Sequence, residues 1–180
     1  DYWALSIMDI EALSWHTSDH NSYDGNSWWC GDEEIGGYLD SWVQYLDTPS
    51  FNVPAGGSLS ADMRWGIESF AGVSGVDGEC LSGGPIDGWD QANVQISTDG
   101  GLSFMTINGS DPYDFECGYG TVYNGLVGLP GWGGNQMWHN VNFDLSAYAG
   151  QDAIIRFAFY SDPAYSTIDD AAIDLAVVCS

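Results

Sequence analysis

The chain contains no lysine. Apart from three histidines its only basic side chains are Arg64 and Arg156, against 26 aspartates and glutamates, a formal charge of −24 in 180 residues. Phosphate backbones and anionic headgroups reward clustered Lys and Arg, so nucleic acid and membrane surfaces are excluded as partners. Schiff-base chemistry and Lys–Asn isopeptide crosslinks are excluded with the lysine. Long apolar runs are missing as well: the stretch from Ala171 to Val178 is interrupted by Asp174 and falls far short of a membrane span. No basic segment followed by an apolar one opens the chain, so any export signal is expected to have been removed or to lie outside this sequence. There is no GxSxG elbow, P-loop or dinucleotide fingerprint. Glycoside cleavage needs two carboxylates at a set separation, but among 26 acids some pair always qualifies by chance. The expectation is a protein that is not an enzyme.

The chain is nevertheless built to fold. Hydrophobic residues make up 44% and aromatic ones 14%, including nine Trp and ten Tyr, which no solvated acidic tail carries. Its length fits a single domain, 1–180, able to bury roughly 70% of its extended-chain surface. Sustained 3.6-residue apolar spacing is absent, whereas short alternating runs recur between Gly, Asp, Asn and Pro clusters. Strands are predicted at Trp3 to Ile7, Val43 to Leu46, Ser58 to Glu68, Gln91 to Ser97, Ser103 to Ile107, His139 to Asp144, Ala153 to Ser161 and Ala172 to Val178. The pattern predicts an all-β fold, a two-sheet antiparallel β-sandwich of jelly-roll type. Long loops are expected at Thr17 to Asp40, Ser69 to Trp89 and Asn108 to Trp138, and loops of this length are usually functional or ordered by metal.

Four cysteines, Cys30, Cys80, Cys117 and Cys179, are widely spaced and form no CxxC pair. Two disulfides in an oxidising compartment are expected, placing the protein outside the cell. Three pairings are open. Cys80 with Cys117 comes first, because both lie in Gly- and Asp-rich loops, leaving Cys30 with Cys179.

With so few internal partners, converging carboxylates need a proton or an imported cation. Two of them about 4 Å apart repel by ~4 kcal/mol at an effective dielectric of 20. Calcium takes six to eight oxygens from carboxylates and backbone in loops that curl around it. The candidate ligands are Asp32, Glu33 and Glu34 in the first long loop, Glu68 at a strand end, Asp87 and Asp90 where the second loop re-enters a strand, and Asp162, Asp169, Asp170 and Asp174 around the last hairpin.

Other motifs read as structure. Ser97 to Phe104 fits an Asp-box hairpin, with Asp99 bonding nearby amides and Gly100–Gly101 taking positive φ. A single copy implies no propeller. His16 and His20 have zinc-like spacing but lack the HExxH acid, so exposed loop histidines are expected. His139 is expected to bond locally. Asn108-Gly109-Ser110 matches the glycosylation acceptor pattern at a strand end, which would usually be coincidence were the source bacterial. Most of the Trp residues are expected in the core, with Trp89 and Trp132 as candidate sugar platforms and Trp132 exposed within its Gly-rich run.

The ordered set Trp28-Trp29-Cys30-Gly31, Gly36-Gly37-Tyr38, Trp42, Tyr45 to Phe51, Leu59 to Glu68, Gly88-Trp89-Asp90, Ser97 to Gly101, Phe143 to Gln151 and Ile155-Arg156-Phe157 resembles the MAM-like jelly-roll modules of secreted bacterial proteins. Such modules accompany immune-inhibitor-A type metallopeptidases and surface-sorting anchors. The resemblance implies Glu68, Asp90 and Asp174 as the leading calcium ligands, being acids at matching strand positions. The chain departs from the pattern in its last strand, where the paired acids are displaced to Asp169-Asp170. The function expected is a non-catalytic, calcium-binding extracellular module for surface attachment or recognition of a glycan or other cell-surface ligand. The alternative is a structural subunit that self-assembles into a filament or coat.

Overall fold

A computed structural model describes residues 15–166 and the backbone of 175–179. Strands β1 (Trp15–Ser18), β2 (Ser27–Cys30), β3 (Val43–Asp47), β4 (Phe51–Asn52), β5 (Ser58–Gly66), β6 (Gln91–Ser97) and β7 (Met105–Thr106) precede a short helix, α1 (Tyr119–Tyr123). β8 (Asn135–Asp144), β9 (Asp152–Tyr160) and β10 (Leu175–Cys179) follow. They form two antiparallel five-stranded sheets: β1-β2-β10-β5-β8, and β3-β9-β6-β7 with β4 paired to the start of β9.

Period-2 alternation directs the packing. Ala61, Met63 and Trp65 of β5 and Val141 and Phe143 of β8 share one buried cluster with Val94 and Ile96 of β6 and Ile155 and Phe159 of β9, so both sheets face a common core. The central strand β6 is buried on its polar side too, because the 108–134 segment folds over it. Gln91 Nε2 donates to the Leu129 carbonyl (2.9 Å), Asn93 Nδ2 to that of Pro130 (2.9 Å) and Gln95 Nε2 to the Tyr160 hydroxyl (2.9 Å), so each of these amides is partnered.

The expected strands at Val43 to Leu46, Gln91 to Ser97, Ser58 to Glu68 and Ala153 to Ser161 are present within two residues at either end, and β8 begins four residues earlier than expected. The expected strand from Trp3 to Ile7 lies outside the described residues. Four expectations need correcting. The strand expected from Ser103 to Ile107 is reduced to Met105–Thr106. The 17–40 loop contains the β1–β2 hairpin, and the 108–138 loop contains α1. His16 and His20 are not simply exposed: both are half-buried against Trp29, with His20 stacked at 4.3 Å between ring centroids.

Cys80 and Cys117 form a disulfide across 37 residues and sit in a small second core with Ile86, packed by Val73, Val76 and Val122. Gly128 lies against the Cys117 sulfur, leaving no room for a Cβ. Reducing this bond is expected to cost about 2–4 kcal/mol, read as a lower urea midpoint in a Cys80→Ala/Cys117→Ala chain. For the other pair, the register sets Cys30 opposite Val177 and Cys179 opposite Trp28 on adjoining strands, and the Cys179 side chain lies outside the described residues.

Arg156 is held by two bonds of 2.7 Å to Asp47 and lies between the rings of Tyr45 (4.0 Å) and Phe104 (3.6 Å), so one of the two arginines is already committed.

Candidate metal centre

Three strand termini meet at one end of the fold. Glu68 lies two residues past β5, Asp90 immediately before β6, and Asp162 two residues past β9. Because Gln91 pairs with Tyr160, the register carries Asp90 alongside the exit of β9, and Pro163 lacks the N–H that would continue the ladder. Gly88 approaches Asp90's strand end through a bridge to Gly118 and packs directly on the Phe115 ring, which leaves no space for a side chain.

One carboxylate oxygen from each of Glu68, Asp90 and Asp162 lies within 4.8 Å of the others. Asp90 is 1% exposed and Asp162 5%. Both Asp90 oxygens accept bonds, Oδ2 from the Tyr38 hydroxyl (2.7 Å) and Oδ1 from the Asp162 N–H (2.6 Å). Tyr38 in turn accepts the Glu68 N–H (3.0 Å), so its hydroxyl ties two of the acids together. Asp162 Oδ1 accepts the Ala164 N–H (2.9 Å), a local turn that fixes its rotamer.

Burial, reinforced by the charges of Asp162 and Asp40, holds the Asp90 carboxyl well above the usual carboxylate range. Burial and Asp40 also push Asp162 up. Burial, then the neighbouring Asp90, raises the Tyr38 phenol. Each pair of charges at this spacing repels by about 3–4 kcal/mol at an effective dielectric of 20. The arrangement therefore calls for a proton or a cation between the acids, and it could hold a metal ion.

The structure brings together Glu68 and Asp90 from the leading set implied by the resemblance; Asp174 lies outside the described residues. Three other candidates are placed elsewhere. Asp87 accepts the Cys117 N–H (2.8 Å) and so anchors the disulfide loop. Asp32 accepts the Glu34 N–H (2.8 Å) to close a turn that leaves Glu34 exposed. Asp162 is, in the sequence, one acid among several; its signal is the Asp-Pro step directly after an apolar strand. Tyr38 carries no charge at neutral pH and gives no such signal.

Trp132 is also corrected. It is 1% exposed, stacked on Trp65 (5.1 Å) and against Tyr113 (4.5 Å), so its faces are not available to a ligand. The segment carrying it pairs in the backbone with Ala92, which draws the ring inward. Trp89 is half-buried, edge-on to Tyr119 at 6.1 Å. Asp99 behaves as its motif predicts: it accepts from Ser97 and Ser103, those bonds lower its pKa to about 2, and Gly100 and Gly101 have φ of 76° and 89°.

No protein-family model matches the chain, and no curated protein matches it. Among the described residues no helix is long and apolar enough to cross a membrane.

Proposed function

We propose that the protein is a non-catalytic extracellular module, a jelly-roll sandwich whose long loops are ordered by calcium and which serves surface attachment or glycan recognition. The observation that carries the metal part is the convergence of Glu68, Asp90 and Asp162, two of them nearly sealed from water. Calcium suits it better than magnesium, because the three acids come from separate strand ends and calcium tolerates irregular oxygen cages. Trp89, directly before Asp90 and beside Tyr119, is the aromatic surface on which a neutral sugar would stack. The disulfide supports an oxidising compartment, and the MAM-like resemblance supports the same reading.

The test is thermal unfolding of the full chain in chelator and in millimolar calcium. Extracellular calcium modules bind with dissociation constants of about 10⁻⁴ to 10⁻³ M, so about 10 mM calcium is a roughly 10- to 100-fold excess and the native state gains about 1.4 to 2.7 kcal/mol. Equal melting in both conditions, with no metal found by elemental analysis, would remove the calcium reading. For the sugar part, retention on a polysaccharide column should fall with Trp89→Ala and remain with Trp28→Phe.

A further inference from the structure

Trp89 stands apart from the other indoles. Four described Trp residues are buried and three more pack against a buried cluster, whereas Trp89 does neither. It is half-buried, with Tyr119 edge-on at 6.1 Å and 77°, and Tyr119 in turn meets Tyr123 at 6.0 Å and 58°. Tyr123 is 46% exposed. Three aromatic rings thus follow one another where α1 meets the segment before β6. Their polar ends differ from those inside the fold, where Trp65 and Trp132 donate their indole N–H groups to the Gly133 and Pro112 carbonyls (3.2 and 3.1 Å). Among the described residues no hydrogen bond engages the Trp89 N–H or the hydroxyls of Tyr119 and Tyr123, and none of these three atoms is buried.

Backbone bonds hold this row in place. The Tyr119 N–H donates to the Gly88 carbonyl (2.9 Å) and the Gly120 N–H to the Trp89 carbonyl (3.0 Å), which fastens the start of α1 beside Trp89. At the other end of α1, Asn124 Nδ2 donates to the Ser161 carbonyl (3.0 Å). Gly120 lies so close to the Tyr160 carbonyl that no Cβ would fit. Tyr119 also packs on the small core around Cys80 and Cys117. A ligand would meet rings already in position, with little ordering cost.

We propose that Trp89, Tyr119 and Tyr123 form a binding site for a single uncharged polysaccharide chain, one sugar ring against each aromatic ring. The inference rests on the glycan reading and names its ligand class and two further residues. Aromatic faces offer apolar area to the C–H faces of a sugar, and the free N–H and hydroxyls can bond its hydroxyls. Charge excludes polyanionic chains: Asp87 and Glu116, both exposed, flank the row in sequence, while Arg64 and Arg156 lie away from it in β5 and β9. The polar ends of the row are an N–H and two hydroxyls, with no carboxylate among them to pair with an ammonium. Neighbouring ring planes turn by 77° and 58°, so a flat crystalline face cannot lie on all three, whereas one chain whose sugar rings rotate along its length can.

The experiment is affinity electrophoresis of the full chain through gels holding hydroxyethyl cellulose, mixed-linkage β-glucan or galactomannan, beside gels holding carboxymethyl cellulose or chitosan, in chelator and in calcium. At least one uncharged polymer should retard the chain equally in both conditions, since backbone bonds and the disulfide core hold the row rather than the ion. Tyr123→Ala, at an exposed position, should weaken that binding about tenfold at an unchanged melting temperature. Tyr119→Phe, which keeps the packing, should weaken it by a smaller factor, and raising salt to about 0.5 M should leave it unchanged. Retardation abolished by Trp89→Ala but indifferent to Tyr123→Ala and Tyr119→Phe would overturn the row and leave the single-indole reading standing. No retardation by any uncharged polymer would overturn both. Binding to chitosan alone that disappears in high salt, or capture on microcrystalline cellulose in place of the soluble chains, would overturn the ligand class.

Discussion

The Asp90→Asn chain is expected to melt at one temperature with or without calcium, while the parent chain gains roughly 5–10 °C from the ion. The gain is about 2.7 kcal/mol near 100-fold excess of ligand, converted at 2–4 °C per kcal/mol for a chain of this size. Losing one buried carboxylate of three removes the charge that makes the site attractive to a cation. In chelator the substitution removes the repulsion with Asp162 but sets an amide NH2 where one carboxylate oxygen accepted a bond, so the two effects oppose. A variant that is merely damaged would melt lower but keep the increment from calcium.

The pH dependence has a definite sign. Asp90 and Asp162 have folded pKa values raised above the unfolded value near 3.9. Their contribution is therefore fully present below that value and is lost as pH rises through the raised folded values. In chelator, stability should fall from mildly acidic to alkaline pH. In calcium the trend should reverse, since the ion replaces the proton and binds more tightly as the acids ionise. Melting curves at several pH values with and without chelator check both slopes.

Trp132→Ala is expected to be among the most damaging core substitutions beside β6, costing about 3–5 kcal/mol. The ring is fully enclosed between Trp65 and Tyr113, and its indole N–H donates to the Pro112 carbonyl (3.1 Å). Truncation would leave a cavity and an unpartnered carbonyl beneath the covering segment. The melting temperature should drop by roughly 6–20 °C, with an unchanged denaturant slope if the unfolded state is unaffected. Trp89→Ala, at a half-buried edge, should cost far less, and the contrast separates the core indole from the candidate platform.

Strands whose patterns are self-contained were readable from the residues. Gln91 to Ser97 alternates polar and apolar without interruption between Asp90 and Thr98, and its observed bounds coincide with those expected. The hairpin β1–β2 was not readable, because each strand has only four residues and turn-forming Ser, Asp, Asn and Gly surround them. Trp132 misled for a related reason: Pro130-Gly131-Trp132-Gly133-Gly134 has loop composition, but the glycines let the backbone approach β6 closely. Gly131 sits against the Gln91 side chain, with its nearest backbone neighbour the Ala92 carbonyl. At the acidic site, position alone left many candidates, Asp162 among them, and it was the MAM-like resemblance that singled out Glu68 and Asp90. The register that adds Asp162, and the turn roles of Asp32 and Asp87, depend on contacts between residues distant in sequence.

Scarcity of basic residues has a consequence for resistance to proteolysis. Trypsin-like proteases cut after Lys or Arg and must draw the substrate into their own cleft as an extended strand, yet this chain offers only the bonds after Arg64 and Arg156. The first lies in β5, laced between β10 and β8; the second lies in β9, between β3 and β6. Neither bond can be presented without dismantling a sheet, so digestion by such enzymes must wait for unfolding and its rate becomes a measure of how often the sheets open.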